Sequence, residues 1–374
     1  MNSTNQTGLF IHVRPGFEKD ASKELLFKLG TLLNDNNAKF GQQELIVKDK
    51  DLSGFVSVQC SGETIQRLRS DLKLKELIFA RQLLWSSVCL TIPKLGDRVT
   101  TIIDHIVKNH LVFAGCNAFS GFEIETTESD ESKELSGFCK SIQRPLENAL
   151  NKAKLLPKGK GAAHLPRLVL VMSDPETVWI CIADNKNSSH WPMGIPRLKF
   201  PTDAPSRSTL KLEEAFVTLL GPEELGIKLC SGMTAVDLGA CPGGWTYQLV
   251  SRGVHVVAVD NGVIDDKLMK SGLVVHEMED AFKFRPLKPV DWMVCDVVEQ
   301  PARITALMEQ WIINGWCHHT IFNLKLPMNL RWEEVNKCMN QISENCAKKG
   351  KQIEIKAKHL YHDRKEITVY CALR

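Results

Sequence analysis

The chain has 374 residues, 43% of them hydrophobic and 24% charged, and its 47 basic and 44 acidic residues leave a formal charge of +3. That length exceeds one ordinary domain of roughly 100–200 residues, so two or three domains are expected, and the composition is that of a folded globular protein. No apolar run approaches the ~18 residues of a membrane span, no basic-then-apolar leader opens the chain, and the near-neutral charge by itself points to no strong nucleic-acid field.

Residues 9–92 read as β-α-β-β-α-β: a strand Leu9–Val13, a helix from about Glu18 to Leu29, strands Glu44–Val47 and Phe55–Cys60, a helix from about Glu63 to Ile78, and a strand near Leu83–Thr91. This is a ferredoxin-like α+β order. Residues 97–186 continue with a helix from about Asp97 to Asn109, a strand Phe122–Thr126, a helical stretch near Lys133–Lys152 interrupted at Pro145, and strands Arg167–Met172 and Thr177–Ala183. Within this block no acid occurs between Asn148 and Ser173, while Lys152, Lys154, Lys158, Lys160 and Arg167 supply five bases beside Gly159 and Gly161. A second basic run, Lys348, Lys349, Lys351, Lys356 and Lys358, is offset only by Glu354. Each run has a bland reading as solvated lysines and a functional one as a phosphate contact.

A connector follows, with prolines at 192, 196, 201 and 205, and is expected to be ordered and extended. The rest alternates strands and helices, the pattern of a mostly parallel α/β sheet covered on both faces. Strands are expected at Thr234–Leu238, His255–Val259, Val274–His276, Trp292–Cys295, Thr320–Leu324, Ile353–Lys356 and Ile367–Ala372. The blocks are thus 1–95, 96–188, a connector at 189–205, and 206–374. The twelve cysteines include no C-x-x-C pair and read as reduced thiols of a cytosolic protein. Without a leader, the triplets at Asn2, Asn5 and Asn187 carry no glycosylation meaning.

The sharpest local signal follows the first strand of the last block, where Asp237-Leu238 runs into Gly239-Ala240-Cys241-Pro242-Gly243-Gly244-Trp245 and a helix. Glycines there let backbone approach a ligand, and the helix start offers free N–H groups. The spacing is not G-x-G-x-x-G, and there is no G-K-[ST], so neither a dinucleotide nor a P-loop site is indicated. An adenosyl ligand without phosphates, S-adenosylmethionine, fits better. Asp260 ends the second strand, twenty-one residues after Gly239, where a carboxylate can accept both ribose hydroxyls, and Asp280 follows the third, placed for the adenine amino group. The bland alternative is a tight turn with capping aspartates.

No D/N-P-P-Y/F stretch follows the fourth strand, as base-modifying enzymes of this fold often have. Four ionisable residues stand at suggestive positions instead: Lys211, Asp296, Lys325 and Glu366. They resemble the Lys-Asp-Lys-Glu tetrad of the FtsJ-like ribose 2′-O-methyltransferases, whose ligand turn is also similar to Leu238–Trp245. Met193–Pro201, Asp203–Phe216, Val236–Val250 and Asn323–Met328, with Arg14–Lys19 and Phe79–Gln82, further resemble the bacterial 23S ribosomal RNA cytidine 2′-O-ribose methyltransferases. The amino-terminal half resembles them less closely, and Asn34–Asn37 reads as a loop peculiar to this chain.

The resemblance implies a cytoplasmic enzyme with a Rossmann-like methyltransferase domain behind a ferredoxin-like and THUMP-containing RNA-binding region. Its target would be the peptidyl-transferase loop of 23S rRNA, with no metal, membrane or protein partner. The turn Gly239, Cys241, Pro242, Gly243 and Gly244 would hold the cofactor together with Asp260, Asp280 and Asp296, and Ser208 would touch its methionine part, unless it merely caps a helix. Lys152, Lys154, Lys158 and Lys160 would contact RNA.

A ribose hydroxyl needs a base and alignment. A lysine near its ordinary pKa of ~10.4 cannot serve as one, whereas burial and a second cation lower it. Lys325 is therefore expected as the base, with Lys211 depressing its pKa and holding the ribose, Asp296 orienting the lysines, and Glu366 fixing Lys211 or the ribose 3′ side.

Cys317-His318-His319 is discounted as a metal site, because neighbours on a strand point to opposite faces. Cys241 and Cys295 are expected to be packing residues, not nucleophiles. Trp292 and Trp311 are expected in the core, leaving Trp191 and Trp245 as candidates for base contact. Two rival functions are an RNA base methyltransferase and a non-catalytic RNA-binding assembly factor.

Overall fold

The computed structural model describes residues 7–34, 45–93, 96–114, 118–157 and 164–374, which form two compact units, Met1–Ile195 and Pro196–Arg374.

The first unit is built on one seven-stranded sheet with the order β2-β3-β1-β4-β7-β6-β5. Its elements are β1 (Thr7–His12), α1 (Glu18–Asn34), β2 (Ile46–Lys48), β3 (Phe55–Cys60), α2 (Gly62–Asp71), β4 (Gln82–Thr91), α3 (Arg98–Ala114), β5 (Phe122–Thr126), α4 (Asp130–Lys133), α5 (Ser136–Lys152), β6 (Arg167–Asp174) and β7 (Thr177–Ala183). Strand β4 pairs with β1 on one side and β7 on the other, so the stretches expected as separate blocks share a sheet. Phe10, Leu84, Val169, Val171, Trp179 and Cys181 from both stretches fill one core cluster.

Three local expectations are corrected. The second helix stops at Asp71, and a 3-10 turn occupies Leu74–Glu76. Just beyond it the Ile78 and Phe79 N–H groups donate to the buried Glu24 carboxylate instead of to helical carbonyls. Pro145 lies inside α5 instead of breaking it, because the buried stripe Cys139, Ile142, Leu146 and Leu150 carries the helix through. The connector is ordered, as expected, but not extended throughout, since a 3-10 turn occupies Pro192–Gly194. Gln82 pairs with both the N–H and the carbonyl of Ser189, Met193 N–H donates to Glu125, and Gly194 lies so close to Arg81 that a Cβ would sit 2.1 Å from its carbonyl oxygen.

The second unit contains α6 (Thr209–Ala215), α7 (Gly221–Lys228), β8 (Thr234–Leu238), α8 (Gly244–Val250), β9 (His255–Val259), α9 (Asp266–Lys270), β10 (Val274–Glu277), β11 (Val290–Cys295), α10 (Pro301–Ile313), β12 (Cys317–Lys325), α11 (Arg331–Lys348), β13 (Ile353–Lys358) and β14 (Glu366–Leu373). The sheet order is β10-β9-β8-β11-β12-β14-β13, parallel from β10 to β12, with β14 antiparallel to both of its neighbours. The continuously buried runs Ala235–Leu238, Trp292–Cys295 and Thr320–Leu324 suit strands covered on both faces. This topology brings the carboxyl ends of β8, β9, β11 and β12 to one edge, and the antiparallel β14 starts at that same edge.

Trp292 and Trp311 are fully buried, as expected, but so is Trp245, which packs with Phe216, Leu249 and Tyr370 in the core. Trp245 is therefore withdrawn as a base contact; Trp191 remains exposed. Among the described residues no helix is long and apolar enough to cross a membrane, and no cluster of three His, Cys, Asp or Glu could hold a metal. His319 lies between Trp292 and Tyr370, where burial and then the Lys228 charge push its pKa down to about 4.

Candidate active site

Four elements deliver the expected tetrad. Lys211 is the third residue of α6, Asp296 follows β11, Lys325 ends β12 and Glu366 begins β14. Register does the last step, since Lys325 and Glu366 are direct partners across the β12–β14 ladder. Lys211 Nζ lies 3.2 Å from Asp296 Oδ2 and 2.6 Å from Glu366 Oε1, and Lys325 Nζ lies 3.2 Å from Glu366 Oε2. Glu366 thus bridges both lysines, one to each oxygen.

The two lysines differ in company and exposure. The Lys211 side chain is 15% exposed, and burial opposes its charge; Asp296 and Glu366, helped by Asp363, outweigh burial and hold it above the ordinary lysine value. Lys325 is 30% exposed and touches a single carboxylate that it shares. Glu366 itself is buried, which works against ionisation, yet Lys211 and Lys325 outweigh burial and keep it below the usual glutamate range.

Asp296 is held by groups not anticipated from the sequence. Asn323 Nδ2 donates to Asp296 Oδ1 at 2.7 Å, and Thr368 Oγ1 lies 2.7 Å from Asn323 Oδ1. A signal was available: Asn323 is two residues before Lys325 and Thr368 two after Glu366, so each shares a strand face with a tetrad member, and the two are themselves cross-strand partners. Polar residues at period two inside apolar strands mark a face aimed at something other than core.

The glycine turn adjoins the tetrad. Gly239 (φ 77°) and Gly243 (φ 114°) occupy the left-handed region, where a side chain would be strained. A Cβ on Gly239 would reach 2.6 Å from Val297 Cγ2, and one on Gly243 would reach 2.4 Å from Leu268 Cδ1. Gly244, at the start of α8, faces the segment that carries Lys211: its Cβ would meet Ser208 Oγ at 2.1 Å and Ser206 Oγ at 2.4 Å. Those hydroxyls lie 2.6 Å apart, and Ser208 makes no capping hydrogen bond to α6, which removes the capping reading of Ser208.

Asp260 closes the turn from β9, accepting Cys241 N–H at 3.0 Å on Oδ2 and Gly262 N–H at 2.7 Å on Oδ1. Its lone pairs are not exhausted, so a vicinal diol can still donate to it. Asp280 is exposed beyond β10 and accepts Phe282 N–H.

These residues fit S-adenosylmethionine. Glycines stand at 239, 243 and 244 of the turn, no lysine or arginine lies between Gly239 and Gly244 to select a phosphate, and the Asp260 carboxylate is hydrogen-bonded to the turn at Cys241. Cys241 is exposed beside Asp260, and burial first, then that carboxylate, raises its thiol. Cys295 is fully buried and its thiol is pushed up to about 12, so neither cysteine is primed as a nucleophile.

The basic runs separate. Lys356 pairs with Glu224 at 2.7 Å and Glu354 at 3.3 Å, and Lys358 is buried, so that run is partly structural. Lys152 and Lys154 are exposed at the end of α5; Lys158 and Lys160 lie outside the described residues.

A family model described as FtsJ-like methyltransferase matches residues 204–365, one described as the N-terminal region of ribosomal RNA large subunit methyltransferase M matches residues 97–184, and one described as the RlmM ferredoxin-like domain matches residues 6–84. A protein of Pasteurella multocida named ribosomal RNA large subunit methyltransferase M is 44% identical over 371 residues, 98% of each chain. Its namesake in Tolumonas auensis is 46% identical over 365 residues, 97% of this chain and 95% of that one. The Proteus mirabilis namesake is 45% identical over 362 residues, 96% of this chain and 95% of that one.

Proposed function

The chain belongs to the ribosomal RNA large subunit methyltransferase M family, and from that membership we propose that it methylates the ribose 2′-hydroxyl of a cytidine in the peptidyl-transferase loop of 23S rRNA, with Lys325 as proton acceptor. As a member it is an S-adenosylmethionine-dependent methyltransferase. The observation that carries the base assignment is the unequal pairing of the two lysines. Lys211 is locked between two carboxylates and stays cationic, whereas Lys325 has half a share in one carboxylate and is the more accessible.

When bound, S-adenosylmethionine supplies an electrophilic methyl group on a positively charged sulfur. The turn Gly239–Gly244, with Ser208, Asp260, Asp280 and Asp296, would hold it. In this reading Lys325, the more accessible of the two lysines, is the base. Neutral Lys325 then takes the hydroxyl proton while Lys211 and Glu366 hold the ribose, and alignment supplies much of the rate.

The unit that ends at Ile195 supplies RNA affinity, through a ferredoxin-like part (1–95) and a THUMP-like part (96–188), with Lys152, Lys154, Lys158 and Lys160 on phosphates.

Nucleoside mass spectrometry of 23S rRNA, from cells with and without this gene, tests the reading. A 2′-O-methylcytidine that disappears with the gene supports it; a methylated base that disappears instead overturns it.

A further inference from the structure

The tetrad stands on a second layer of side chains in which every proton has one consistent place. Asn323 and Thr368 are fully buried, as is Asp363 in the turn before β14. Asp296 pairs with Lys211 and is an acceptor, so the amide of Asn323 must turn its NH2 toward Asp296, as observed at 2.7 Å. Its carbonyl then faces Thr368 Oγ1, also at 2.7 Å, and can only accept. Thr368 has one hydroxyl proton, and this contact uses it.

Yet Asp363 Oδ2 lies 3.0 Å and Oδ1 3.2 Å from the same Thr368 oxygen. With the threonine proton committed, the hydrogen bond between them needs a proton on Asp363. Asp363 Oδ2 also accepts the Leu360 N–H at 3.1 Å. Burial, then the neighbouring Glu366 and Glu214 carboxylates, favours that protonated form, and Lys211 opposes it only in part.

We propose that Asp363, Thr368 and Asn323 form a one-way hydrogen-bond chain, from neutral acid to hydroxyl to amide, that positions the Asp296 carboxylate for methyl transfer. The three are positioning residues, since none touches the reacting atoms. A satisfied buried chain of this kind fixes direction, because reversing any link sets two acceptors face to face. It holds Asp296 toward the α6 lysine without adding a charge beneath the site. The proposal rests on the methyltransferase reading of the tetrad.

The test is steady-state transfer of labelled methyl from S-adenosylmethionine to 23S rRNA lacking the modification, which counts turnover whichever atom receives the methyl. Cofactor affinity by calorimetry and thermal unfolding are measured on the same samples. Thr368→Val keeps the shape and removes the link. It is expected to lower kcat by about tenfold or more, with cofactor affinity and KM within about twofold, because alignment and not binding is lost. Thr368→Ser is expected to recover most of that loss. Asp363→Asn replaces a neutral acid by a neutral amide that can still donate to Thr368 and accept from Leu360, and is expected to keep kcat within about threefold.

Full turnover in Thr368→Val overturns the chain. So does an Asp363→Asn protein that loses turnover or fold, since Asp363 would then act as an anion. If Thr368→Val does not fold, Asp363→Asn decides alone. A methyl found on a base leaves these outcomes readable and sinks only the assignment of the acceptor.

Discussion

Lys211 and Lys325 show how far identical side chains diverge when one is given two carboxylates and the other a share of one. Replacing Lys325 by alanine is expected to lower kcat by about a hundredfold or more, with cofactor affinity by calorimetry unchanged; near wild-type turnover would remove it as the base. Lys211→Ala removes the cation that bridges Asp296 and Glu366, so it is expected to lower the thermal midpoint as well as turnover, unlike Lys325→Ala. The buried acids differ in their response to pH. Glu366, held low by its lysines, contributes stability that is present above the ordinary carboxylate value of about 4.3 and lost as pH falls through its own lower value. Asp237 is the reverse case, pushed up to about 7 mainly by burial, against its hydrogen bond from Thr246. Between about pH 4 and about pH 7 the native state keeps a proton that the unfolded chain has released, so stability falls as pH rises across that window. Asp237→Asn is expected to flatten this slope in thermal unfolding, and an unchanged slope would place its source elsewhere.

The elements that mattered for the site were legible to different depths. The strands of the second unit were legible to within three residues, because runs such as Val256–Val259 and Met293–Cys295 are apolar throughout and bounded by turn residues. The glycine turn was legible too, since few backbones need Gly239, Gly243 and Gly244 at that spacing. What it packs against was not, because Ser206 and Ser208 lie more than thirty residues upstream and meet Gly244 only after α6 docks beside α8. Gly244→Ala is therefore expected to push the Lys211 segment away from the turn, weakening cofactor affinity by about tenfold or more in calorimetry; unchanged affinity would show that the serines are not part of the cofactor wall. In the first unit, α5 running through Pro145 could not be read locally, since the buried stripe that carries the helix gains its value from the sheet beneath.

On the proposed function, catalysis and RNA affinity fall to parts of different chemistry. Changing Lys152, Lys158 and Lys160 together to glutamate is expected to weaken binding to 23S rRNA by at least about tenfold and reduce its salt dependence, with cofactor affinity intact; unaltered RNA affinity would take this segment out of the interface. The formal charge of +3 hides that division, because Asp260, Asp280, Asp296 and Glu366 offset lysines that stand elsewhere in the chain. The residue types, their order and their periodicity determined by themselves the strands of the second unit, the glycine turn and the resemblance to a methyltransferase family, since each is a local pattern or a motif, and that resemblance pointed to Lys211, Asp296, Lys325 and Glu366. Only the tertiary structure decided that β4 joins two stretches into one sheet, that Trp245 is core, that Glu366 bridges both lysines, and that Asn323, Thr368 and Asp363 stand behind Asp296. Pairing register and burial depend on residues far apart in the chain, and a hydrogen bond has meaning only once both of its ends are placed.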